Sequence, residues 1–320
     1  MKSPLPPIML DCTFEHRDLR DTMPPKWEDL ELYQVDLHIH AGTERPPALT
    51  LLDFVDFSVA TGRRIIGITD HFGRYLGLSR KKLNHYPGTI KGYQSFIQDV
   101  RGARSKYTDE IILFGPEFGL GNLVSREGEL ALGTPGVDFF IGEPGSPPDG
   151  KTLGDYLVEG VREIRSASDE YGVPGFLGHP LRGPINRIAG KAGQGPKMPG
   201  HPPFPPLSKF DDPKEHVEEL LQVDLSALAR ESVRRDVPIE LNDSSWGRML
   251  GMNHQSLLER YLFFFRGLIE GGARVILGSD MHNVEHPAPT PFIAAEFLEV
   301  VPGDLTFLRH WLGSTEALGG

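Results

Sequence analysis

The sequence is expected to fold as a single α/β domain, a closed or nearly closed TIM-like barrel of alternating strands and helices, with an open doubly wound sheet as the competing architecture. Three observations lead there. Short β-rich apolar runs alternate from residue 33 onward with longer stretches whose apolar residues recur at the helical period of about 3.6. Strands separated by crossover helices pair in parallel, which is the arrangement of α/β folds. With 320 residues, 39% of them hydrophobic and 24% charged, the chain has globular composition and ample material for one large core.

Taken in order, residues 1 to 32 carry Pro4, Pro6, Pro7, Pro24 and Pro25 and read as an N-terminal extension ahead of the barrel domain, which spans residues 33 to 320. The first strand is expected at 33 to 38 (YQVDLH) and is followed by a helix at 49 to 61. A strand at 64 to 69 (RIIGIT) leads to a helix at 89 to 107, and strands follow at 111 to 115 (IILFG) and 137 to 142 (VDFFIG). A helix at 153 to 171 precedes a strand at 174 to 178, within VPGFLGH. The pattern closes with a helix at 224 to 235, a strand at 237 to 242 (VPIELN), a helix at 254 to 271 and a strand at 274 to 279 (RVILGS). One segment breaks the rhythm: residues 182 to 210 hold seven prolines, five glycines and five Lys or Arg with no acid. So long an irregular basic loop inside an acidic protein is read as an insertion, either a substrate-contacting lid or a surface feature.

Charge and cysteine content exclude several functions. A formal charge of -11 and a pI near 5.6 argue against general binding of nucleic acid or anionic membrane, both of which need excess positive charge. Cys12 is the only cysteine, so an intrachain disulfide and a thiolate metal cage are both excluded. The N-terminal residues lack the apolar stretch of a secretory signal, and no run is long enough to span a bilayer, so a cytoplasmic protein is expected.

Within VDLHIH, His38 and His40 are two residues apart at the end of an apolar run. On a strand they share one face, within reach of a common ion. Other metal-competent residues also follow predicted strands: Asp70 and His71 after the second, Glu117 after the third, His179 after the fifth, and Asp280 and His282 after the seventh. In a parallel barrel the C-terminal ends of all strands open on one face, where active sites are built. Each residue has a bland alternative as a turn or surface group, but these eight side chains converge if the barrel forms. His85, His201, His216, His254 and His310 fall in predicted loops or helices and read as solvated.

The ordered pieces DLHIH (36 to 40), GITDH (67 to 71), GPE (115 to 117), LGHP (177 to 180), IELN (239 to 242) and GSDMH (278 to 282) resemble the PHP family, named for polymerase and histidinol phosphatase. The resemblance covers residues 33 to about 285. It implies a distorted (β/α)7 barrel and a metal-dependent phosphoesterase with one to three divalent ions. The ligands it implies are His38, His40, His71, Glu117, His179, Asp280 and His282, with Glu117 as a bridge. Two departures stand out. Where the family carries another His after the first pair, this chain has AGTERPP, and Glu44 is the only substitute. Near the fourth strand, Gly145 occupies about the place of a family His, with Glu143 the nearest possible ligand.

A set of His and carboxylates without thiolate suits Zn, Mn or Fe. Such ions would activate a water for attack on a small phosphomonoester or nucleotide. Asp70 is expected to orient the His71 imidazole as a catalytic auxiliary. Arg182, Arg74, Asn242 and Arg248 lie near strand ends and are expected to bind substrate, with Arg182 as a bidentate phosphate clamp. Arg182→Ala is then expected to raise KM while leaving bound metal intact. Two other functions compete: hydrolysis of a C–N bond by an amidohydrolase-like barrel, and a non-catalytic metal-binding module. The first would need a carboxylated Lys near the fourth strand, where none occurs until Lys151.

Overall fold

In a computed structural model of the chain, the described residues are 34 to 77, 83 to 185, 223 to 242, 244 to 245 and 255 to 284. The N-terminal extension, nearly all of the basic insertion, Arg248, His201, His216, His254 and His310 lie outside them.

Seven parallel strands form one sheet in sequence order: β1 (Val35–His40), β2 (Ile65–His71), β3 (Ile111–Gly119), β4 (Phe140–Glu143), β5 (Gly175–Leu177), β6 (Ile239–Asn242) and β7 (Val275–Gly278). The helices between them are α1 (Leu51–Ala60), α2 (Ile90–Lys106), α3 (Arg126–Leu132), α4 (Leu153–Tyr171), α5 (Leu225–Arg235) and α6 (Gln255–Glu270), with a 3-10 turn over Phe72–Leu76. The sheet curls until its first and last strands meet. Ile39 bridges Met281 in parallel, the His40 N–H donates to the Met281 carbonyl at 2.8 Å, and the Asp280 N–H donates to the His38 carbonyl at 2.7 Å. The result is a nearly closed (β/α)7 TIM-like barrel, as the alternation predicted.

Several boundaries differ from the sequence reading for one physical reason. β1 continues to His40, β2 to His71 and β3 to Gly119, so the polar residues expected just beyond the strands lie within them. Apolar character stops where the site begins, but the backbone ladder does not: Asp70 still pairs with Pro116, and His71 with Glu117. A second difference is α3, which no periodic pattern announced. It is capped by the Ser125 hydroxyl, which accepts from the Glu127 and Gly128 N–H groups, and has Glu127 and Glu129 in its first turn.

Helices α1, α2, α4 and α5 start at side-chain caps on Thr50, Thr89, Thr152 and Asp224. Their buried faces pack Phe54, Phe96, Val100, Leu157, Val161, Ile164 and Leu228 against Ile39, Ile66, Ile68, Phe114 and Phe140 of the strands in one continuous core. Between these helices the buried Glu231 of α5 accepts from Arg162 of α4 and from its own Arg234 and Arg235, tying the two helices together. Among the described residues no helix is long and apolar enough to cross a membrane.

Candidate metal centre at the barrel mouth

The C-terminal ends of β1, β2, β3, β5 and β7 bring all seven predicted ligands together. The His40 ring lies 4.9 Å from that of His38, 4.6 Å from His71 and 4.1 Å from His282, and His38 and His179 stack at 5.4 Å. His38, His40, Glu117, His179 and Asp280 are buried, whereas His71 and His282 are partly open to solvent.

The donor atoms face one another at metal-ligand spacing. His38 Nε2 lies 3.0 Å from His40 Nε2, 3.6 Å from Glu117 Oε2 and 3.8 Å from Asp280 Oδ1. His40 Nε2 lies 3.2 Å from Glu117 Oε2 and 3.3 Å from Asp280 Oδ1. Ligands bound tetrahedrally at about 2.1 Å from an ion stand about 3.4 Å apart, which is the middle of this range. The second oxygen of Glu117 turns the other way, 2.8 Å from His179 Nε2, so the carboxylate spans two groups of ligands as a bridge does. Among the described residues, Glu117 Oε2, His40 Nδ1 and His179 Nδ1 are buried without a hydrogen bond, although polar atoms crowd around them. Buried polar atoms are nearly always paired, and a cation within reach of Glu117 Oε2 would supply its missing partner; the Nδ1 atoms of His40 and His179 lie on the ring edges away from the Nε2 atoms that face the cluster. The residues present therefore fit a divalent ion. Other groupings that could hold one are His40 with His71 and His282, His38 with Glu117 and His179, and His71 with Glu117 and Glu143.

Electrostatics lead to the same place. Burial would make His38 less basic, but Glu240, Glu117 and Asp280 around it raise its pKa well above the ordinary imidazole value. His40 and His71 likewise resist burial and are raised, the first mainly by hydrogen bonding to Asp280 and Glu117, the second mainly by the charge of Glu117. Burial favours the neutral acid of Glu117 and of Asp280, yet His71 and His38 hold the first well below the usual carboxylate range and Arg182 and His38 hold the second there. His282 goes the other way, lowered by burial and by the charge of His40. A pocket this rich in carboxylates calls for positive charge, from protons or from ions.

Local structure fixes the ligands. Asp280 has φ 55, a left-handed conformation that Asp tolerates better than most residues, and its N–H bond to His38 holds it there. Gly278 is required by close approach: a Cβ at that position would lie 2.0 Å from Glu240 Oε1 and 2.6 Å from the His38 Cβ. Glu240, which the sequence reading left unassigned, is the main organiser. Fully buried on β6, it accepts from His38 Nδ1 at 2.8 Å, from the His179 N–H at 2.6 Å and from Asn242 Nδ2 at 3.1 Å. With its proton on Nδ1, His38 presents the Nε2 lone pair to the cluster. The sequence signal was an acid inside an apolar strand, a position that demands a partner.

Several residues meet partners other than the expected ones. Asp70 does not orient the His71 ring; its oxygens accept from the Thr43 N–H at 2.6 Å, the Thr43 hydroxyl at 3.0 Å, the His71 N–H at 2.9 Å and the Tyr75 hydroxyl at 2.7 Å. It therefore anchors the loop that carries Glu44. Asn242 is buried and its amide is engaged by Ser245, Glu240 and Arg182, so it supports the site and does not face a substrate. Arg182 pairs with Asp280 and reaches the Ser244 hydroxyl at 3.3 Å, which makes it part of the ligand scaffold. Arg74 pairs with Glu44. His85, expected to be solvated, is half-buried with Nε2 3.2 Å from the Pro46 carbonyl.

No protein-family model matches the chain and no curated protein matches it, so a functional reading rests on the fold and on these side chains.

Proposed function

We propose that the protein is a metal-dependent hydrolase of small phosphate esters, with a PHP-like centre at the mouth of its barrel. The observation that carries this reading is the cluster of His38, His40, Glu117 and Asp280, whose facing donor atoms are 3.0 to 3.8 Å apart. His179, His71 and His282 extend the set, and Zn, Mn and Fe are the metals its chemistry suits. Bound divalent ions supply a water of lowered pKa and neutralise charge on phosphoryl oxygens.

The chain's own residues prepare that chemistry. Glu240 fixes the His38 tautomer, and Arg182 holds one Asp280 oxygen so that the other faces the imidazoles. Burial of the inner ligands keeps bulk water from screening them. Because Arg182 and Arg74 are committed to Asp280 and Glu44, the charge of a phosphate would be met chiefly by ions held by His38, His40, Glu117 and Asp280.

One observation favours a second reading. Four protein ligands around one ion describe a closed coordination shell, the hallmark of a structural site, so a non-catalytic metal-binding module is the alternative. The amidohydrolase reading is weakened, since Lys151 is exposed and paired with Glu159.

Elemental analysis of the purified protein, followed by a panel of phosphomonoesters, phosphodiesters and a cyclic amide, tests these readings. We expect at least one ion per chain and ester hydrolysis that chelation abolishes and metal restores. A metal-free protein that binds no added Zn, Mn or Fe would overturn the proposal. Bound metal with no turnover of any ester would shift it to the closed-site module.

A further inference from the structure

We propose that Thr69 is the positioning residue of His40, its hydroxyl accepting the His40 Nδ1 proton directly or through one buried water and so leaving the Nε2 lone pair for the centre; this rests on the metal-centre reading but not on hydrolysis. The two residues are register partners across the β1–β2 ladder, where Ile39 pairs with Ile68 and His40 with Thr69. Partners in parallel strands point to the same face, with their backbones about 4.8 Å apart. Ile39 and Ile68 belong to the core between strands and helices, so His40 and Thr69 both face the barrel interior. They are 1% and 0% exposed. Among the described residues neither His40 Nδ1 nor the Thr69 hydroxyl has a hydrogen-bond partner. Buried polar atoms are nearly always paired, and these two orphans are neighbours on one wall.

The surroundings leave Thr69 few other partners. On its far side it pairs with Gly115, which has no side chain, and a Cβ there would lie 2.4 Å from the Phe139 ring, so that side is apolar. Two residues on, His71 has Nδ1 2.9 Å from Glu117 Oε2 and Nε2 3.4 Å from Glu44 Oε2. His40 Nε2 is turned to the cluster, 3.2 Å from Glu117 Oε2 and 3.3 Å from Asp280 Oδ1. Once Nε2 is given to an ion, the neutral ring carries its proton on Nδ1, and a hydroxyl can accept it. His38 is already set in this way, with Glu240 accepting from its Nδ1 at 2.8 Å. A hydroxyl serving nothing inside the barrel would be a pure cost, and valine, of the same shape, would be the better residue.

The test compares Thr69→Val, which removes the hydroxyl, with Thr69→Ser, which keeps it, in the full chain loaded with Zn. Competition with a chromophoric chelator gives the Zn affinity, and NMR of protein labelled with 15N in its histidine rings follows the His40 Nδ1–H. Wild type and Thr69→Ser are expected to show that proton protected from exchange. Thr69→Val is expected to shift its resonance, speed its exchange and weaken Zn binding about tenfold or more.

Weaker binding with an unmoved resonance would give Thr69 a packing role and overturn the proposal. Wild-type Zn affinity in Thr69→Val would overturn it too, and higher melting of that variant when stripped of metal would mark a hydroxyl without a partner. In wild type alone, a His40 ring without a proton on Nδ1 would overturn it while leaving the buried centre standing. A wild-type chain that takes up no Zn would remove both this proposal and a Zn centre.

Discussion

Glu240→Gln is the sharpest perturbation of the centre because it keeps the shape of the side chain and changes only what its two terminal atoms can accept. In the native protein Oε1 receives His38 Nδ1 at 2.8 Å and Asn242 Nδ2 at 3.1 Å, and Oε2 receives the His179 N–H at 2.6 Å. A glutamine must place its NH2 at one of these positions. Facing His179, it sets donor against donor, which costs about 1–3 kcal/mol for a buried unsatisfied N–H. Facing His38, it forces the imidazole proton onto Nε2, the nitrogen aimed at His40, Glu117 and Asp280. Either way the ligand set is damaged, and metal affinity is expected to fall about 10- to 100-fold, as it does when other partners of metal-bound His are removed. A competition titration with a chromophoric chelator measures the affinity, and melting of the stripped protein measures the cost to the fold. Wild-type affinity together with wild-type melting would refute the assignment of Glu240 as the organiser of His38.

Other substitutions probe the same scaffold and its surroundings. Gly278→Ala places a methyl 2.0 Å from Glu240 Oε1 and is expected to cost about 1–3 kcal/mol and to weaken metal binding, read from the urea midpoint and a metal titration. Arg182→Ala leaves Asp280 buried without its guanidinium; we expect about 2 kcal/mol of destabilisation in the stripped protein, less than for a fully buried pair, and lower metal affinity with partial rescue by Arg182→Lys. Intact metal binding with only a raised KM would instead restore the clamp role. For Glu231, burial is outweighed by Arg234, Arg235 and Arg162, which bring its pKa down to about 2. A depressed folded-state value stabilises the fold above the unfolded value of 4.5, and that contribution disappears as pH falls from there through about 2. Because Arg162 and Arg234 are 52% and 61% exposed, its size is about 1 kcal/mol. Glu231→Gln should therefore narrow the difference in unfolding free energy between about pH 6 and about pH 3, and an unchanged difference would refute the pairing.

What the sequence showed and what it hid follow one division. Alternating periodicity is a local property, and it was enough to place the strands and the helices that are long enough to repeat. Seven-residue α3 has too few turns to display a period, although its Ser125 cap and early acids were visible. The ligands were legible because His and acidic residues at the ends of apolar runs stand out once a parallel barrel aligns those ends. The partners of those ligands were not. His38 and Glu240 are 202 residues apart, and Arg182 meets Asp280 only because β5 and β7 flank the same strand. For Asp70, adjacency to His71 suggested a bond to the ring. In a strand, however, neighbouring side chains point to opposite faces, which turns Asp70 toward Thr43 and Tyr75.

The seam between β1 and β7 joins the question of fold to that of function. Asp36 accepts from the His38 N–H at 3.2 Å and the Ser279 N–H at 2.9 Å and pairs with Arg63, while Asp280 donates to the His38 carbonyl. The backbone that closes the barrel thus belongs to the residues that carry the ligands. Without a cation, the crowded carboxylates at this seam depend on imidazole protons for compensation; with one, attraction to His38, His40 and Asp280 draws the two strands together. An ion that binds the closed seam better than the open one must stabilise closure by that difference. Metal is therefore expected to slow hydrogen exchange at the His40 and Asp280 amides more than at the Ile66 and Leu113 amides of the β2–β3 ladder, which precede the ligands His71 and Glu117 along their strands. Equal slowing at all four amides would mean that metal stabilises the barrel globally and that the seam is no weaker than the rest of the sheet.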